Sequence, residues 1–190
     1  MNWREEILSY RPQSPEEEAD REQILSYVNQ YGDFLLRREN LACHITASGF
    51  ILSPQGDRVL MAHHNIYRVW AWTGGHADGE TDLLGVALRE AREETGAVHL
   101  RPLSERAASV EILPVWGHWK RGKYVPSHLH LNLSYLLTAD PGDPLRPRPG
   151  ENTQVAWLPT EGLLEKTNEW EMDPVYTKLL ERGYKLLNRE

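Results

Sequence analysis

Gly74-Gly75-His76-Ala77-Asp78-Gly79-Glu80-Thr81-Asp82-Leu83-Leu84-Gly85-Val86-Ala87-Leu88-Arg89-Glu90-Ala91-Arg92-Glu93-Glu94-Thr95-Gly96 decides the reading of this chain. No proline interrupts Thr81 to Thr95, and Leu84, Ala87, Leu88 and Ala91 recur at helical spacing, so an amphipathic helix is expected there. Thr81 or Asp82 is placed to cap its start, and Gly96 to stop it. At about 100° per residue, Glu90, Glu93 and Glu94 fall within an arc of about 100° beside the apolar stripe, and are expected to project away from the core. Like charges three and four residues apart repel, and a cation held between them relieves the repulsion. Magnesium and manganese suit such a place, because they prefer oxygen ligands and bridge a few carboxylates to substrate phosphates. A bare acidic face on a surface helix is the simpler reading of a Glu-Glu pair. The preceding Gly74-Gly75-His76 segment, expected as a glycine-rich loop, and Arg89 at the head of the acids argue against it.

These residues resemble the Nudix box, whose pattern is G-x5-E-x7-R-E-U-x-E-E-x-G-U with U a bulky aliphatic residue. Gly75 stands at the opening glycine, and Arg89, Glu90, Glu93, Glu94 and Gly96 at the second half. Three positions depart: Thr81 stands where the pattern has its first glutamate, with Glu80 one residue early, and the U positions are the small Ala91 and Ala97. The resemblance extends over about residues 41–159. It implies an α+β fold, a Nudix-type α/β/α sandwich with a mixed β-sheet between helices. It also implies hydrolysis of a nucleoside diphosphate linked to another moiety, with Mg2+ or Mn2+ as cofactor. By the same resemblance Glu90, Glu93 and Glu94 are catalytic metal ligands, Arg89 orients a glutamate, and the Gly74 carbonyl completes the metal shell. Glu151, in the loop before an expected strand, is the candidate fourth carboxylate.

Around that box the expected elements fall into order. Residues 1–40 read as an N-terminal helical extension, with Ile24, Leu25 and Val28 at helical spacing after Ser14-Pro15. It is either a helix packed on the sheet or a dimer arm. Residues 41–190 read as the Nudix hydrolase domain with a C-terminal helix over Met172 to Asn188. Strands are expected from Leu41 to Leu52, Arg58 to His63, Tyr67 to Thr73, Ala107 to Gly117, His128 to Ala139 and Thr153 to Leu158. Ser53-Pro54-Gln55-Gly56-Asp57 is a turn, and Asp140 to Gly150, with four prolines, is a loop.

Several polar groups remain. In His128-Leu129-His130-Leu131-Asn132-Leu133-Ser134 the period of two places both histidines, Asn132 and Ser134 on one face. Substrate contact and structural hydrogen bonding are the leading readings. A His-x-His metal pair ranks third, because no third or fourth ligand stands at a recognisable spacing. Lys120, Arg121 and Lys123 surround Gly122 in an expected hairpin that is either a phosphate clamp or a solvated tip. Of seven tryptophans, Trp72 is the candidate for stacking on a base, against a core role, with Trp70, Trp116 and Trp119 nearby. His63, His64 and His76 are further cavity candidates or solvated loop residues.

A chain of 190 residues with net charge −7 suits a small anionic substrate met through metal, and disfavours polymeric nucleic acid, which needs clustered Lys and Arg. No apolar run reaches transmembrane length, and the opening Met1-Asn2-Trp3-Arg4-Glu5-Glu6 lacks a signal-peptide pattern, so no membrane partner and a cytoplasmic location are expected. The single Cys43, in an apolar strand pattern, excludes an internal disulfide and reads as core. A homodimer is open. Two rival functions share the fold: a nucleotide-sensing domain that does not cleave, and an isomerase resembling isopentenyl diphosphate isomerase. The intact acids weigh against the first, and the distance of Cys43 from the box against the second.

Overall fold

The computed structural model describes residues 2–66, 68–120 and 122–188, the Lys120 side chain excepted. The sheet is built on β1 (Cys43–Leu52), whose ten residues are all buried. On one side β1 runs parallel to β9 (His128–Thr138), from Cys43 opposite Leu129 to Leu52 opposite Thr138. On the other it pairs antiparallel with β2 (Arg58–His64) at Ile51 and Leu52, and with β4 (Thr73–His76) from Thr46 to Gly49. β3 (Trp70–Ala71) and β10 (Asn152–Pro159) extend β2, while β5 (Arg101–Pro102) and β6 (Ser109–Val115) border β9. β7 (His118–Lys120) and β8 (Lys123–Val125) form a separate antiparallel hairpin.

Alternation along β1 explains the layers. Cys43, Ile45, Ala47 and Ile51 enter one core cluster with Leu131, Leu133 and Leu137 of β9. That face is covered by α1 (Trp3–Ser9) through Trp3 and Ile7, by α2 (Pro15–Tyr31) through Ile24, and by α3 (Leu83–Thr95) through Val86, Ala87 and Ala91. Phe50 and Leu52 point the other way and meet Leu136 with Tyr176 and Leu179 of α5 (Asp173–Leu187). Gly183 lets α5 approach: a Cβ there would lie 2.2 Å from Leu52 Cδ1. A short helix α4 (Leu163–Thr167) contributes Leu163 to the same cluster. The result is the expected mixed sheet between helices, and Cys43 is buried within it.

Two local expectations are corrected. Gly74 and Gly75 do not form a loop; they are strand residues of β4, paired with Ser48 and Ala47. Glycine is required by crowding: a Cβ on Gly74 would stand 2.5 Å from Ser48 Oγ. The strand expected from Tyr67 to Thr73 is broken. Tyr67 lies outside the described residues, and Arg68 takes φ +57° in a turn closed by its N–H donating to His64 O at 2.9 Å. Ladder pairing is thereby confined to Trp70–Ala71 and resumes at Thr73.

Candidate active site and a histidine cluster

The cap residues anchor α3 as the sequence requires. Asp82 is the N-cap, its Oδ1 accepting from the Gly85 N–H at 3.1 Å, and Gly96 closes the helix at φ +76° with its N–H on Arg92 O at 2.8 Å. This fixes the rotation of the helix and sends its acids to β4 and to the start of β10. They do not all face solvent, as their position beside the stripe suggested. Glu90 and Glu94 are 8% and 9% exposed, and only Glu93 is open. The reason is the glycine pair. A Cβ on Gly75 would fall 2.4 Å from Glu90 Cδ, so Glu90 occupies the space an ordinary side chain would fill. Glu94 Oε1 accepts from the Gly74 N–H at 3.1 Å, and its Oε2 from Asn152 Nδ2 at 3.2 Å. Gly74 thus meets the acids through its N–H.

One cation joins the acids. Arg148 Nη1 lies 3.1 Å from Glu90 Oε2, 3.1 Å from Glu93 Oε2 and 3.2 Å from Glu151 Oε2. Arg148 comes from the proline-rich loop, and nothing in its spacing from the helix announces this role. Arg89 holds Glu90 Oε1 from the other side at 2.5 Å, and its Nη2 donates to Glu80 Oε1 at 3.0 Å. Glu80 therefore takes the Arg89 contact despite standing one residue early. Five residues separate Gly74 from Glu80, and eight separate Glu80 from Arg89.

The donor set suits a hard divalent cation: carboxylate oxygens gathered where a positive group already sits. Burial dominates the electrostatics. It raises the Glu94 carboxyl to about 7 against the lowering hydrogen bonds of Gly74 and Asn152, with Glu90 and Glu151 adding repulsion. Burial likewise raises Glu90, although Arg89 and Arg148 oppose it. A cation among these groups would favour their ionised forms.

The other sequence candidates separate. Trp72 turns to the α5 side of the sheet, edge-on to Tyr176 with ring centres 5.7 Å apart, and is a packing residue. Trp116 and Trp119 are exposed at the β7–β8 hairpin, where Trp119 meets Tyr124 edge-on. Lys123 is exposed on β8; Arg121 and the Lys120 side chain lie outside the described residues. Asn132 and Ser134 are buried in a hydrogen-bond network. Asn132 Oδ1 accepts from Thr46 Oγ1 and Ser48 Oγ, both at 2.9 Å, while Asn132 Nδ2 and Ser134 Oγ donate to Glu111 Oε2. Lys178 of α5 closes that buried network on Glu111 Oε1 at 2.9 Å.

His128 and His130 gain two partners that no linear spacing reveals. His44 of β1 and His76 of β4 join them, and one ligand atom from each of the four lies within 4.8 Å of all the others. His76 is therefore a half-buried strand residue, as are His63 and His64 on β2, in place of the solvated loop positions considered. Register makes the cluster: His44 is opposite His130 in the parallel β1–β9 ladder, and His76 is opposite Thr46. Burial lowers the basicity of His44, and lowers His130 to about 2 with the neighbouring histidines adding to it, which favours the neutral ring.

Known proteins agree with this architecture. A C. elegans Ap4A hydrolase, solved as a binary complex, superposes with a TM-score of 0.54 at 20% identity, covering 77% of this chain and 98% of that one. A NUDIX hydrolase from Nitrosomonas europaea gives 0.52 at 17% identity, covering 74% and 88%. No curated protein matches the sequence. The family profile described as NUDIX domain matches residues 43–179, a span that holds the whole sheet, α3, and the acids with their arginines. The chain belongs to the Nudix family, hydrolases that act on pyrophosphate bonds.

Proposed function

We propose that this protein is a Mg2+- or Mn2+-dependent hydrolase that cleaves the pyrophosphate bond of a nucleoside diphosphate linked to another moiety. The observation that carries the reading is the convergence of Glu90, Glu93 and Glu151 on one cationic group, with the buried Glu94 beside them. Glu90, Glu93, Glu94 and Glu151 would hold the metal, which when bound supplies Lewis-acid stabilisation of the diphosphate and acidifies water. Arg89, itself held by Glu80, fixes the rotamer of Glu90. The Gly74 N–H and Asn152 orient Glu94. Gly75 leaves room for Glu90 against the strand. Arg148 occupies the place of a cation among three carboxylates; a metal held there would displace it, and its guanidinium would then be available to a phosphate oxygen. Lys123 and the neighbouring Lys120 and Arg121 are proposed as a second source of positive charge for the phosphates.

Arg148 also supports a second reading, a nucleotide-sensing domain in which that guanidinium permanently replaces metal. Turnover separates the two. Wild-type protein is offered a panel of nucleoside triphosphates, nucleotide sugars, dinucleoside polyphosphates and coenzyme-type diphosphates, with magnesium, with manganese or with chelator, and products are identified by mass. The hydrolase reading expects a nucleoside monophosphate and a phosphorylated remainder, and only where one of the two metals is supplied. Nucleotide binding by calorimetry without any turnover in either metal would overturn it.

A further inference from the structure

We propose that His44, His76, His128 and His130 form a second, transition-metal site, of the kind that takes zinc, which pins β4 to β1 and β9 apart from the carboxylate site. Four imidazoles with no carboxylate or thiolate among them are a donor set for zinc and its neighbours, and not for magnesium or calcium. The ring nitrogens are prepared for it. His44 Nδ1 lies 3.1 Å from the Asn40 carbonyl oxygen and His128 Nδ1 lies 2.8 Å from that of Pro126, so each Nδ1–H donates outward. Both Nε2 lone pairs are thereby left for the interior, the arrangement by which backbone carbonyls orient metal-binding histidines. His44 is 3% exposed, and its Nε2 is buried with no hydrogen-bond partner among the described residues. A buried acceptor left in that state costs about 1–3 kcal/mol, and a metal bond removes the cost.

The spacing is also that of a tetrahedral site nearly closed. With zinc–nitrogen bonds of about 2.0–2.1 Å, tetrahedral ligands stand about 3.3–3.4 Å apart. His128 Nε2 and His130 Nε2 are 3.3 Å apart. The widest ligand pair is within 4.8 Å, so closure asks for side-chain movements of about 1.5 Å or less and no change of strand register. A direct His130-to-His128 hydrogen bond explains that one pair, but leaves the His44 nitrogen unsatisfied. The two sites lie on opposite faces of β4: Gly75 turns to Glu90, and the next residue, His76, turns to the cluster. A clamp on His76 would hold the strand against which Glu90 and Glu94 are set.

The test is metal binding by the full chain, stripped with chelator and measured in excess magnesium so that the carboxylates are occupied. Wild-type protein is expected to bind about one equivalent of zinc per chain. Cobalt(II) is expected to give the intense visible absorption of a four-coordinate site, and zinc to raise the Tm. His130→Ala should remove the zinc equivalent, and the milder His128→Gln, at a half-buried position, should weaken its Kd at least tenfold while the circular dichroism stays that of wild type. Glu93→Gln should leave zinc binding unchanged, which keeps this result separate from that of the hydrolase reading. If wild type takes up no zinc in magnesium, or folded His128→Gln protein binds it as tightly as wild type, the site does not exist. Weak six-coordinate cobalt absorption would overturn it equally.

Discussion

Gly75 is the residue on which the candidate active site depends most sharply, since its hydrogen faces Glu90 where any side chain would collide. Gly75→Ala is therefore expected to displace the Glu90 carboxylate and cut hydrolysis by roughly 100-fold, the scale set by misplacing a catalytic group by about 1 Å. Steady-state kinetics with magnesium measure it, and rates within a few-fold of wild type would contradict the placement. Arg148 makes a different prediction. Without metal it screens Glu90, Glu93 and Glu151, so Arg148→Ala should lower stability by about 1–2 kcal/mol in chelator. Saturating magnesium should narrow that gap, because the ion then does the screening. Denaturation curves in chelator and in magnesium compare the two, and an equal loss in both would argue that metal and guanidinium do not share the place. Glu90, Glu93 and Glu94 were legible from sequence because a helix converts spacing into adjacency. Arg148 was not, because it arrives from a loop some fifty-eight residues after Glu90, and loop contacts have no period.

Elements show the same division. The helix α3 and its ends could be read in advance, since stripe, cap and glycine stop all act locally. Asp82→Ala should cost about 1 kcal/mol by leaving the Gly85 N–H without its acceptor, checked by chemical denaturation. Across the sheet, Gly183→Ala on α5 should cost about 1–3 kcal/mol by overpacking against Leu52, with little effect on the acids, which lie with α3 on the other side. By contrast, the strand character of Gly74–Gly75 was hidden. Glycine pairs are turn signals, but here Gly74 and Gly75 pair with Ser48 and Ala47 of β1, and Ser48 and Glu90 respectively fill the space their side chains would need. The histidine cluster was half visible. Period two gave His128 and His130 a common face, but His44 and His76 join them through ladder register, a non-local choice that no single segment encodes.

At the scale of the molecule, a buried ion-pair cluster ties the two helical layers together at the β6 edge. Glu17 of α2, 1% exposed, meets Arg182 Nη1 at 2.6 Å and Lys178 Nζ at 3.1 Å, both on α5. Burial alone would raise its carboxyl, but the Arg182 and Gln13 hydrogen bonds and the two positive charges outweigh it and hold the group at about 2, below the ordinary 4.5. A lowered folded value stabilises the protein fully above pH 4.5 and loses that contribution as pH falls toward about 2. Its size is about 3 kcal/mol, so unfolding free energies at about pH 6 and about pH 3 should converge more in Glu17→Gln than in wild type. Among the described residues no helix is long and apolar enough to cross a membrane. The identity of the substrate was never in the box, whose residues are proposed to hold metal and not the variable part of the ligand. The most direct measurement of the central claim is the magnesium-dependent hydrolysis of the best panel substrate by Glu93→Gln beside wild type. Glu93 is 41% exposed at its side chain, so the fold should tolerate the change. A fall in kcat of about 100-fold or more, with the folding unchanged, is the expected result; turnover equal to wild type would contradict the carboxylate site.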